Sequence, residues 1–177
     1  NSEKVFDDMG PWSLEESSYE DLLDLQGYYE KISGGLMLDA MDILPDNSGS
    51  ISVIKAYEKL QFKREIKLYS LKNDGNLLAI FMADMTDTGM NMSELTNNIK
   101  VIVIQPDNLT KELLESSINE IAKNHYNNST HVLLFPESYA DKNSMNYEKK
   151  YSMWIYNVDY SDAYFEFLNK LLRFSGK

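Results

Sequence analysis

The 177-residue chain has no cysteine. This excludes a disulfide framework, a thiolate metal site and a cysteine nucleophile, and it suits a reducing compartment, so a cytoplasmic location is expected. Basic residues are scarce. Lys and Arg number 17 against 28 Asp and Glu, for a formal net charge of −11. Non-specific nucleic-acid binding and attachment to anionic membranes both depend on such cations, so neither partner is expected. No apolar run approaches the ~20 residues of a membrane span, and no signal peptide is visible. The two histidines, His125 and His131, lack partners at metal-ligand spacing, so no metal site is expected. Each reads as structural: His125 ends a helix, where a cation suits the dipole, and His131 begins a strand. A P-loop, a dinucleotide fingerprint and a Ser-His-Asp arrangement are all missing as well.

Hydrophobic residues make up 43% of the chain, enough for one sizeable core. The first residue is Asn1 rather than Met, which suggests a piece of a longer protein with a neighbouring domain or protein partner. Residues 1–18 read as a lead-in, with Gly10-Pro11-Trp12 as a turn, and residues 19–177 as a single domain. In "SSYEDLLDLQGYYEKI" (17–32), Ser17 and Glu20 form a capping box, and Leu22, Leu25, Gln26 and Tyr29 share a helical face. "SGG" interrupts the period, "LMLDAMDIL" is a short helical stretch, "PDNSGS" a loop, and "ISVIKAYEKLQF" another helix.

From Arg64 the period changes. "REIKLYSL" alternates, Asp74-Gly75 marks a turn tip, and "LLAIFMAD" continues as a strand, so 64–71 and 77–84 should form a hairpin. The polar, Met-dotted "DMTDTGMNMSELTNN" follows. Its Asp84, Asp87 and Glu94 lack calcium-loop spacing and read as solvated, while its methionines could line an adaptable apolar pocket. "IKVIVI" is a buried strand. "TKELLESSINEIAKNHY" is an amphipathic helix with Leu113, Leu114, Ser117, Ile118, Ile121 and Ala122 on one stripe. "HVLLFP" reads as a buried strand and "SYADKNSMNYEKK" as loop or short helix. "YSMWIYNV" reads as a strand, and the last helix starts at a Ser161 cap. The fold expected from this order is α+β, a central mixed β-sheet flanked by helices.

The order of helices, antiparallel hairpin, strand, loop, helix and strand resembles the GNAT superfamily of N-acyltransferases over residues 19–173. The hairpin looks like that family's second and third strands, "IKVIVI" like its splayed fourth and "HVLLF" like its fifth. The resemblance implies a loop after the fourth strand, reading Gln or Arg, two residues, Gly, one residue, Gly or Ala. The N–H groups of that loop hold the pyrophosphate of acyl-CoA at a helix N-terminus. In "IQPDNLTKELLES", Gln105 takes the first position, but Asn108 and Thr110 stand where the glycines belong. Pro106 removes a donor. Asp107 should satisfy the free helix N-terminus and so compete with an incoming phosphate. The loop therefore looks like a filled-in phosphate cradle, which makes acyl-CoA doubtful as a cofactor.

Catalytic residues are thin. Active relatives frequently carry a Glu base on the fourth strand, where this chain has only Lys100. Tyr139 and Tyr147 lie where the family's acidic Tyr usually sits and are weak catalytic candidates. Two functions are thus expected. One is a diverged domain that is catalytically weak or inactive and binds a small-molecule ligand or a protein as a regulatory module. The other is an active N-acyltransferase that moves an acyl group from an acyl-CoA or similar donor to an amine.

Overall fold

The computed structural model describes residues 11–33, 37–38, 41, 43, 45, 48–87, 96–126 and 130–152. Its contacts group into two units, Asn1–Tyr147 and Glu148–Lys177. Within the second unit the described residues, 148–152, form no helix or strand.

The first unit is α+β, built on a five-stranded mixed open sheet in the order β1-β2-β3-β4-β5. The strands are β1 (Trp12–Glu16), β2 (Arg64–Asn73), β3 (Asn76–Thr86), β4 (Asn98–Val103) and β5 (His131–Phe135). The first four run antiparallel to their neighbours, and β5 runs parallel to β4. Among the described residues the longer helices are α1 (Tyr19–Ser33), α2 (Ser48–Lys59), α3 (Lys111–His125) and α4 (Glu137–Lys142).

The β2–β3 hairpin forms where the alternation placed it. Asp74 and Gly75 adopt φ of 46° and 79°, the left-handed pair that a two-residue turn needs to match strand twist. One irregularity follows. Leu71 pairs with Ala79 and Lys72 with Leu77, so Leu78 is an extra residue in β3. Its carbonyl accepts from both Ile104 N–H (2.8 Å) and Gln105 N–H (3.1 Å), and β4 ends there.

Residues 12–16, read as part of a lead-in, form the edge strand β1 instead. Trp12 pairs with Asn73, and Leu14 is buried opposite Leu71. Helix α1 begins one residue later than its expected cap. Ser18 and Asp21, rather than Ser17 and Glu20, exchange the reciprocal bonds of the capping box. Ser17 instead accepts a hydrogen bond from the hydroxyl of Ser70 on β2. The stretch read as the loop "PDNSGS" already turns helical at Ser48. Helix α2 closes with Gln61 N–H on Glu58 C=O and Phe62 N–H on Tyr57 C=O, the 5→2 and 6→1 pair of a Schellman end.

The sheet buries both faces. One carries Leu77, Ile80, Met82, Ile102 and Ile104 against Leu22, Leu25 and Tyr29 of α1, with Leu38, Met41 and Ile43. The other carries Tyr69, Leu71, Phe81, Val101 and Val103 against Leu113, Leu114 and Ile121 of α3 and Tyr139 of α4. The stripe expected on α3 is the buried one: Ser117 bonds back to Leu113 C=O, and Ile118 and Ala122 pack at its margin. Gln26, placed on the core face of α1, is only partly buried and bonds Glu30.

Two strand expectations need correction. Every residue of β5 pairs with β4, from His131 opposite Asn98 to Phe135 opposite Ile102, so these strands are not splayed along that stretch. Nor is β5 a buried strand: His131 and Val132 are exposed and the rest half-buried, as befits an outer position in the described sheet. Tyr151 and Ser152 are not in a strand. The remainder of "YSMWIYNV", the helix expected at Ser161, Glu94 and the methionines of the polar insertion beyond Met85 lie outside the described residues.

Candidate functional site

Loop 104–110 leaves β4 at the Leu78 bulge and delivers the chain to α3. Within the loop, Asn108 and Gln105 bond to each other. Asn108 N–H donates to Gln105 C=O at 3.2 Å, and Asn108 Nδ2 donates to Gln105 Oε1 at 2.9 Å. The cap of α3 is Thr110, whose hydroxyl accepts from Leu113 N–H at 3.3 Å. Thr110 adopts extended φ and ψ of −80° and 155°, the geometry of an N-cap residue.

Asp107 therefore does not cap the helix as expected. It projects into solvent and forms an ion pair with Lys142 at the end of α4. The ammonium holds its carboxyl below the usual carboxylate range. Helix α4 is tied to the same loop at a second point. Tyr139 is 1% exposed, and its hydroxyl donates to Leu109 C=O at 3.0 Å. Burial pushes that phenol up to about 12, and the bond orients the proton toward a backbone oxygen. Tyr139 is thus a strut between α4 and the loop, with its only proton already engaged. Tyr147 is 55% exposed, in contrast to the buried Tyr139. The four loop residues Gln105, Asp107, Asn108 and Thr110 do come together; the two tyrosines do not share an environment.

A second polar group sits nearer the start of β4 and was missed by reading the sequence. Asp84, read as solvated, is fully buried. Arg64 donates Nε to its Oδ1 at 2.9 Å and Nη2 to its Oδ2 at 2.8 Å, while Lys100 Nζ reaches Oδ2 at 3.0 Å. The Arg64 guanidinium also lies over the Tyr57 ring of α2, 5.1 Å from its centroid. Tyr126 donates its hydroxyl to the carbonyls of Asp84 and Asn98, which brings the end of α3 to the same strands. Burial lowers the Lys100 ammonium below its ordinary range. Asp84 opposes that shift without cancelling it, and Arg64 adds to it. For Arg64, attraction to Asp84 outweighs burial and the pKa rises.

The remaining candidates are structural. Asp87, outside the hairpin, accepts from Lys63 N–H at 2.8 Å. His125 Nε2 and the Tyr69 hydroxyl are hydrogen-bonded to each other. Burial and Lys67 lower the pKa of His125, which works against a cation at this helix end. Among the described residues, no group of three His, Asp or Glu could hold a metal. No described helix is long and apolar enough to cross a membrane. Neither the family models, nor the curated proteins, nor the solved structures contain a match to this chain.

Proposed function

We propose that this chain is a diverged GNAT-like domain whose acyl-donor loop is closed by its own side chains, and that it acts as a ligand-binding or protein-interaction module. The topology supports the family reading: an antiparallel β2–β3–β4 run, a loop and helix, then β5 parallel to β4. The observation that supports closure of the loop is the side-chain bond from Asn108 Nδ2 to Gln105 Oε1, made beside the backbone bond from Asn108 N–H to Gln105 C=O. Asn108 stands at the first glycine position of the family loop, and its N–H is already consumed. Asn108 and Thr110 also add Cβ atoms where a phosphate would need close backbone approach.

Titration calorimetry with acetyl-CoA should detect no binding tighter than about 1 mM. Changing Asp107, Asn108 and Thr110 together to Gly should raise CoA affinity at least tenfold, with a salt-sensitive gain, because the recovered contact is charge on dipole. A micromolar dissociation constant for the parent would overturn the closed-loop reading and favour an active N-acyltransferase. A folded triple variant that binds CoA no better than the parent would show that the loop is no phosphate cradle.

A further inference from the structure

The charge balance around Asp84 is incomplete. Two cations, Arg64 and Lys100, converge on a single carboxylate, and their side chains are 15% and 12% exposed against 0% for Asp84. Among the described residues one positive charge is therefore left over in a part-buried region, in a chain whose net charge is −11. The guanidinium is committed to Asp84 through two bonds. The ammonium gives Asp84 one of its three N–H donors, and Asp84 is its one hydrogen-bond acceptor among the described residues.

Burial is incomplete in the row of the sheet that holds Lys100. Register places Leu68, Met82, Lys100 and Leu133 in one row across β2 to β5. The adjacent row, Ser70, Ile80, Ile102 and Phe135, is sealed as far as β4. In the Lys100 row, Leu68 and Leu133 are only half-buried, and Leu133 belongs to neither core cluster. Leu133 is therefore the cross-strand neighbour of Lys100, whose ammonium has donors to spare among the described residues.

We propose that Lys100, held by Asp84 beside Arg64, binds the carboxylate of a small organic acid whose short apolar tail lies against Leu133. The excess of one positive charge matches a monoanion, and a phosphate dianion would overcompensate it. The half-buried leucine favours a tail over a bare anion. This site is independent of the donor loop and stands whether or not that loop binds CoA.

Hexanoate is the probe, titrated into the 177-residue chain with 15N-labelled lysine and followed by NMR and calorimetry. The Lys100 ammonium resonance should shift saturably, acetate should bind at least tenfold more weakly, and hexylamine and inorganic phosphate should not bind. Lys100→Met should weaken hexanoate at least tenfold. Leu133→Glu, which supplies a tethered carboxylate to the same ammonium, should abolish binding while leaving the amide spectrum folded. Asp107→Asn should leave hexanoate affinity unchanged. Absence of saturable binding, parental affinity in a folded Lys100→Met or Leu133→Glu protein, or tighter binding of phosphate than of hexanoate would each overturn the site.

Discussion

Strand β4 is flanked by two aspartate–lysine pairs that look alike on paper. Within the sheet, Lys100 meets Asp84, with side chains 12% and 0% exposed; past its end, Lys142 meets Asp107, with 57% and 83% exposed. Water screens the second pair, and two flexible side chains must be ordered to make it, so its contribution to stability is small. The first pair sits where desolvation of each ion is costly and only hydrogen bonding from Arg64 and Lys100 makes the buried carboxylate tolerable. Proximity of opposite charges therefore says little by itself. The medium around the pair decides whether it holds the fold together or merely decorates a loop.

The largest loss of stability is expected at Asp84. Asp84→Asn leaves two part-buried cations without their counter-charge, and urea unfolding should show a loss of about 3–5 kcal/mol. Lys100→Met removes the surplus cation and keeps the Arg64–Asp84 pair, so stability at neutral pH should change by no more than about 1 kcal/mol. Its pH dependence is more telling. Because the folded Lys100 pKa is lowered, the folded state binds fewer protons than the unfolded chain between the two pKa values. Wild type should thus gain on the variant as pH rises through that window, up to about 10.4. A flat difference from pH 7 to 10 would mean that Lys100 titrates alike in both states.

At the loop the effects shrink. Thr110→Ala removes the α3 cap and should cost about 1 kcal/mol in chemical denaturation. Asp107→Asn should leave the melting temperature unchanged within error at physiological salt, since the partner is exposed. Any slight contribution is present above the ordinary carboxylate pKa and is lost on acidification, because Lys142 lowers the folded value. A large destabilisation by Asp107→Asn would erase the contrast between the two pairs.

Local signals were readable and cross-strand ones were not. The hairpin turn at Asp74-Gly75 and the stripe on α3 depend on residues within a few positions of one another, so period and turn chemistry sufficed. Strand β1 has five residues and depends on β2, far off in the chain, as the 57-position separation of Lys72 and Glu15 illustrates. Asp84 looked solvated because it adjoins a polar insertion. Its partners are 20 and 16 residues distant, and only the pairing of Ile66 with Asp84 and Met82 with Lys100 brings them together. The alternation of Ile80, Met82 and Asp84 on one face was the available clue. In the candidate loop, the departures from glycine at Asn108 and Thr110 were legible. The choice of Thr110 over Asp107 as cap was not, because both residue types cap well and only the helix start at Lys111 distinguishes them.

The extra residue in β3 also bears on how this chain can change length. Removing one residue from a strand normally inverts every side chain on one flank, sending core residues outward. Leu78 and Ala79 both face the core that holds Phe81, while Leu77 and Ile80 face the other. Deleting Leu78 would therefore restore plain alternation and leave both flanks facing as they do now. Its carbonyl, however, accepts the two N–H groups that stop β4 before the loop. A scan of single-residue deletions along β3 should find the mildest damage at Leu78, and what damage remains there should appear at residues 104 and 105, across the sheet from the missing residue.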